Sequence, residues 1–164
     1  LKDEFRVMFP GADTEKLALL AMTFEEFLAR ESDAGGLELV LKPVRAKRAL
    51  LHGHCHQKAF ASMGAVEKVL RLVPGLEVET LDAGCCGMAG AFGYEASNYD
   101  VSMKMGELSV LPAARAADGE TMLVADGTSC RHQIEHGAGK TSWHVARILE
   151  ESLGRDLGAA GKGR

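Results

Sequence analysis

A chain of 164 residues with 46% apolar and 26% charged residues has the composition of one globular domain with a core of its own. The formal charge of −4 implies no basic face for a nucleic acid, and aromatics at 5% are too sparse for a base-stacking platform. No apolar run reaches bilayer length, Leu17 to Met22 being typical, and no signal peptide is expected ahead of the domain. The chain opens on Leu1 inside a charged helical pattern, which suggests a piece of a longer protein. Four cysteines, two of them adjacent, are too few for a secreted scaffold, and neighbours on a trans backbone do not bridge without strain. Thiolates at work in a reducing, cytoplasmic compartment are the better reading.

In chain order, the first expected element is a helix entered after Pro10-Gly11. Asp13 or Thr14 caps it, and Leu17, Ala21, Phe24 and Leu28 share one face. Asp33 to Gly36 ends it. Ala49-Leu50-Leu51 reads as a strand leading to His54-Cys55-His56, then a helix carrying Phe60, Met63, Val66 and Leu70. Leu76, Val78 and Leu81 alternate as a strand does and lead to Gly84-Cys85-Cys86-Gly87. Ser97 to Ala117 is helical in character, with Val101, Leu108 and Leu111 as core candidates and a kink or break at Pro112. Met122 to Ala125 is a third strand, leading to Gly127-Thr128-Ser129-Cys130 and a short helical turn around Ile134. Thr141 to His144 is a weaker fourth strand ahead of a helix from Val145 to Leu153, and a frayed tail follows from Gly154.

Strands alternating with helices predict an α/β fold: a parallel sheet with helices on both faces, a Rossmann-like three-layer single domain. The expected organisation is an N-terminal helical segment over 1–31, a cysteine-rich α/β domain over 32–153 and a flexible tail over 154–164. In this layout Cys55, the Cys85–Cys86 pair and Cys130 each follow the carboxyl end of a strand. Those ends share one edge in a parallel sheet, the edge where ligands bind. Four cysteines far apart in sequence are thus brought together as a metal-binding set. The glycines around Cys85 and Cys86 suit this, because adjacent side chains on a regular strand point to opposite faces and only an irregular loop aims both inward. Backbone N–H groups and helix amino-termini aimed at the set favour thiolate and any anionic cluster.

His54, His56 and His132 flank the cysteines as hydrogen-bond partners for the ligands or, less often, as ligands themselves. Asp82, Glu95 and Asp126 lie near the cysteine loops as ordinary solvated acids. Gly137-Ala138-Gly139-Lys140-Thr141 imitates a phosphate-binding loop, but Ile134 stands where its first glycine is needed, so it reads as a helix-ending turn. Gly87, Gly90 and Gly93 likewise miss the dinucleotide spacing.

The segments His54-Cys55-His56-Gln57-Lys58, Gly84-Cys85-Cys86-Gly87-Met88-Ala89-Gly90 and Gly127-Thr128-Ser129-Cys130-Arg131-His132-Gln133 resemble one copy of the cysteine-rich, Cys-Cys-Gly domain. That domain occurs in the B subunit of heterodisulfide reductase, in the iron–sulfur subunit of glycolate oxidase, and at the C-terminus of FAD-linked 2-hydroxyacid dehydrogenases of the D-2-hydroxyglutarate dehydrogenase kind. The resemblance implies a [4Fe–4S] cluster on Cys55, Cys85, Cys86 and Cys130, with zinc as the alternative occupant. It also implies FAD in another domain of a parent oxidoreductase, and other domains or subunits of that protein as partners. The expected role is electron relay from flavin to an acceptor. The rivals are a structural zinc or metal-free docking domain and a catalytic thiol/disulfide site. Location would be cytoplasmic, or peripheral to the inner face of the membrane through the parent complex. The family pattern ends in Cys-x-x-Cys, whereas Gln133 stands at the second position here, which sets this chain apart from the five-cysteine, double-cluster type.

Overall fold

A computed structural model of the chain describes residues 1–154, so all but the first residue of the expected tail lies outside the described residues. The chain divides into two compact units, Leu1–Leu37 and Glu38 onward.

The first unit holds three short helices, α1 (Glu4–Met8), α2 (Ala12–Leu20) and α3 (Phe24–Asp33). The single helix expected here is two, because Thr23 caps a new start. The Thr23 side chain accepts from the Glu26 N–H, and the Glu26 carboxylate accepts from the Thr23 N–H, the reciprocal pairing of a capping box. Neither Asp13 nor Thr14 caps α2, which starts after Gly11 without a side-chain cap.

The second unit is built on a four-stranded, all-parallel sheet in the order β2-β1-β3-β4. The strands are β1 (Arg48–Leu51), β2 (Glu77–Thr80), β3 (Thr121–Val124) and β4 (Ser142–Trp143). Leu51 pairs with Thr80 on one side and Val124 on the other. Its helices are α4 (Cys55–Ala59), α5 (Met63–Leu70), α6 (Tyr99–Glu107), α7 (Val110–Ala116), α8 (Thr128–Ala138) and α9 (Val145–Ser152). Helix α5 packs with α9, and α6, α7 and α8 pack with one another. Leu50, Leu123 and Ala125 join Val110, Ala114 and Ile134 in one cluster, so alternation along the strands sends Ala49, Leu51 and Val124 to the opposite face. All three are fully buried. This is the expected α/β fold.

Four local expectations are corrected. The helix after Cys55 is interrupted at Phe60–Ser62, where Ala61 takes a positive φ of 55°, and Phe60 is exposed. The long helix breaks at Leu108–Ser109 and not at Pro112, which sits in the first turn of α7, where its missing N–H costs nothing. Val101 and Leu108 point outward, at 50% and 83% exposed, while Ser102 and Gly106 are buried. Helix α6 turns its small face inward because a Cβ at Gly106 would meet the Cys86 carbonyl oxygen and Leu111 at about 3.0 Å. The eleven-residue α8 exceeds the short turn expected around Ile134, and Gly139 ends it in the left-handed conformation at φ 64°.

Candidate metal centre

Strand β1 lies between β2 and β3, so the chain turns one way from β1 to reach β2 and the other way to reach β3. The crevice at such a reversal, past the carboxyl ends of the strands, is where open parallel sheets bind ligands. Every cysteine stands on this edge. Cys55 opens α4 four residues past β1, Cys85 and Cys86 follow β2, and Cys130 lies in the first turn of α8 past β3.

The four are unequal in depth. Cys86 and Cys130 are buried, at 1% exposed each, and belong to the apolar cluster beneath α7 and α8. Cys85 is half-buried and Cys55 exposed, and all four are free thiols. The Cys86 and Cys130 sulfurs are 3.4 Å apart. This contact holds the Cys86 thiol well below its ordinary range, against the opposing effect of burial, with His52 beside it helping. The same contact, together with burial and the other three cysteines, pushes the Cys130 thiol up. Burial, and after it Cys85, raises the Cys55 thiol.

The loop that aims Cys85 and Cys86 inward depends on Gly87, at φ 98°, where a Cβ would overlap the Ser102 carbonyl oxygen. The Gly87 N–H points at the Cys85 sulfur at 3.3 Å. Lys58, on α4, donates to the carbonyls of Ala83 and Gly84 just before the pair. Gln133 is buried, and its amide donates to the Cys86 carbonyl (3.0 Å) and to the Ser102 carbonyl (3.1 Å) and hydroxyl (3.2 Å). Where the resembling pattern carries a second cysteine, this chain has a tether from α8 to the Cys-Cys loop and α6.

The histidines divide. His54 caps α4, its Nδ1 accepting from the His56 N–H at 3.3 Å, and burial keeps its pKa below the usual histidine range. A Cβ on Gly127 would run into the His54 ring and come within 3.0 Å of the Cys130 sulfur, so glycine is required there. His56 is exposed, with its ring edge-on to His54. His132 is exposed and pairs with Tyr94, whose hydroxyl is 2.5 Å from its Nδ1. Asp126 is no solvated acid: it accepts from the Gln57 amide at 2.7 Å and the Val145 N–H at 3.0 Å, tying the loops after β1, β3 and β4 together. Asp82 and Glu95 stay exposed.

His52 is the residue that the sequence reading passes over. Its backbone N–H donates to the Val124 carbonyl at 2.8 Å, extending the β1–β3 ladder by one residue, so its side chain falls on the face of Leu50. It is 3% exposed, and neither ring nitrogen has a hydrogen-bond partner. An orphaned buried polar atom of this kind costs about 1–3 kcal/mol. A ring nitrogen of His52 and the sulfurs of Cys86 and Cys130 all lie within 4.8 Å of one another. Period-two alternation from Leu50 was the signal that could have found it.

The donor set fits a metal: soft sulfur donors from three segments past β1, β2 and β3, a buried imidazole, and backbone N–H groups of the uncapped α8 terminus on the same side. Among the described residues no helix is long and apolar enough to cross a membrane.

Comparison with known proteins gives relatives of two kinds. One component polypeptide of the anaerobic glycerol-3-phosphate dehydrogenase of Escherichia coli K12 is 32% identical over 120 residues, which are 72% of this chain and 29% of that polypeptide. The D-2-hydroxyglutarate dehydrogenase of the same organism is 33% identical over 133 residues, 79% of this chain and 13% of that protein. Its counterpart in Pseudomonas putida is 34% identical over 101 residues, 60% of this chain and 10% of that protein. The chain thus spans less than a third of each. No model of a protein family matches it, and no solved structure matches it significantly.

Proposed function

From the premise that the chain is a homologue of one segment of these two kinds of dehydrogenase, we propose that it is the iron–sulfur redox domain of a larger flavin-dependent 2-hydroxyacid dehydrogenase. Cys55, Cys85, Cys86 and Cys130 would hold the cluster, and four thiolates suffice for one [4Fe–4S] centre. One observation carries the reading: four free cysteines from three separate segments of the chain stand on one edge of the sheet, at its reversal point. Such a centre supplies single-electron transfer between a flavin held elsewhere in the parent protein and an outside acceptor. The chain's own part is to bury one side of the centre, aim backbone N–H groups at it and leave Cys55 and Cys85 facing outward. The isolated chain would then carry no dehydrogenase activity.

The close approach of Cys86 and Cys130 favours a second reading, a single ion such as zinc. A cubane carries its thiolates on different irons, whereas two sulfurs 3.4 Å apart suit neighbouring ligands of one tetrahedral ion, about 3.8 Å apart at a metal–sulfur distance near 2.3 Å. Anaerobic reconstitution with iron and sulfide separates the two. Four irons, four sulfides and a broad visible absorbance per chain are the expected result. Stoichiometric zinc with no iron or sulfide uptake would establish the second reading, and the absence of any metal uptake would remove both.

A further inference from the structure

We propose that His52, Cys86 and Cys130 form a one-ion site of their own, an N,S,S niche for a borderline divalent cation such as zinc or ferrous iron. In this niche Cys55 and Cys85 are dispensable for holding the ion. The claim concerns binding without sulfide, so it stands apart from the cluster reading.

Three observations carry it. The ligand atoms already lie within 4.8 Å of one another, and the two sulfurs, 3.4 Å apart, are within tenths of an ångström of the spacing that a tetrahedral ion imposes. All three side chains are at least 97% buried and anchored in the sheet or its core, His52 by the β1–β3 ladder and the cysteines by the apolar cluster. Among the described residues His52 has no polar neighbour to serve other than the Cys86 sulfur. The space around it is lined by Leu50, Leu81, Val110, Leu123 and Ile134, and both ring nitrogens go unpartnered. Two thiolates and an imidazole are what zinc and iron take in preference to magnesium or calcium. With three protein ligands the fourth position remains, on the side of the outer cysteines, for solvent or one of their thiols.

The experiment is an anaerobic cobalt(II) titration of the full chain, with its optical spectrum as the readout, repeated on His52→Gln, Cys86→Ser and Cys55→Ser. Wild type should take one equivalent, giving tetrahedral d–d bands and thiolate charge transfer. Cys86→Ser should lose about half of the charge-transfer intensity and bind more weakly, and His52→Gln should bind about 10–100-fold more weakly with shifted d–d bands. Cys55→Ser should still take one equivalent. Because a core substitution can unfold the chain, cadmium-113 is also added to wild type labelled with nitrogen-15 histidine. One imidazole nitrogen should then show coupling to the metal. An unchanged His52→Gln titration, equal losses in Cys55→Ser and Cys86→Ser, or no histidine nitrogen coupled to cadmium would each overturn the proposal. Wild type that takes cobalt only through the outer cysteines would overturn it while leaving the four-cysteine reading intact. Iron and sulfide uptake without any cobalt binding would do the same.

Discussion

The inner and outer halves of the cysteine set differ in what holds them. Cys86 and Cys130 are part of the apolar core, wedged among Val110, Ala114, Leu123 and Ile134, whereas Cys85 and Cys55 stand on loop and helix surface. An inner sulfur cannot move without disturbing packing, and an outer one can. On the proposed reading, the inner pair would fix where a metal sits and the outer pair would face what reaches it from outside.

Thiol reactivity breaks this comparison most directly. In the metal-free, reduced chain, iodoacetamide should modify Cys55 first and Cys85 next. Cys86 and Cys130 should be protected about a thousandfold or more, since their exposure requires opening of the core. Peptide mass analysis over time reads the order, and equal rates at all four would erase the distinction between halves.

A smaller but still large effect is expected where the inner half meets its backbone. Gly87→Ala combines a left-handed φ with overlap of the Ser102 carbonyl, and should cost about 3 kcal/mol or more in urea unfolding. Gln133→Ala strands the Cys86 and Ser102 carbonyls and should cost about 2 kcal/mol, with Cys86 labelled faster than in wild type. The smallest effect lies in the N-terminal unit. Thr23→Ala removes the capping box and should cost about 1 kcal/mol there, with metal uptake and cysteine labelling unchanged. A loss of metal uptake in that variant would tie the two units together functionally.

The strands and the meeting of the cysteines were legible because both follow from short-range pattern plus one topological rule. Apolar runs ahead of each cysteine loop marked β1, β2 and β3, and parallel strands put their carboxyl ends together. What escaped was decided by contacts between elements. Apolar spacing runs smoothly through Ala21 to Thr23 and through Phe60 to Ser62, so periodicity gave no sign of the breaks there. Val101 and Leu108 look like core residues in sequence, but the close approach of Gly106 to Cys86 decides which face of α6 turns in. His52 was passed over because the conspicuous histidines flank Cys55, while the one beside the buried sulfurs ends a strand.

The strand order also sets a timetable for synthesis. A growing chain delivers β1 and β2 with Cys55, Cys85 and Cys86, but β3, the other neighbour of β1, and Cys130 emerge only afterwards. A ribosome-bound chain ending before Thr121 holds three thiols and no completed pocket. His52, whose ladder bond needs Val124, is not yet fixed either. Loading of the proposed centre would then be a late step of maturation. An oxidant that reaches Cys85 or Cys86 in that interval closes the route before the pocket exists.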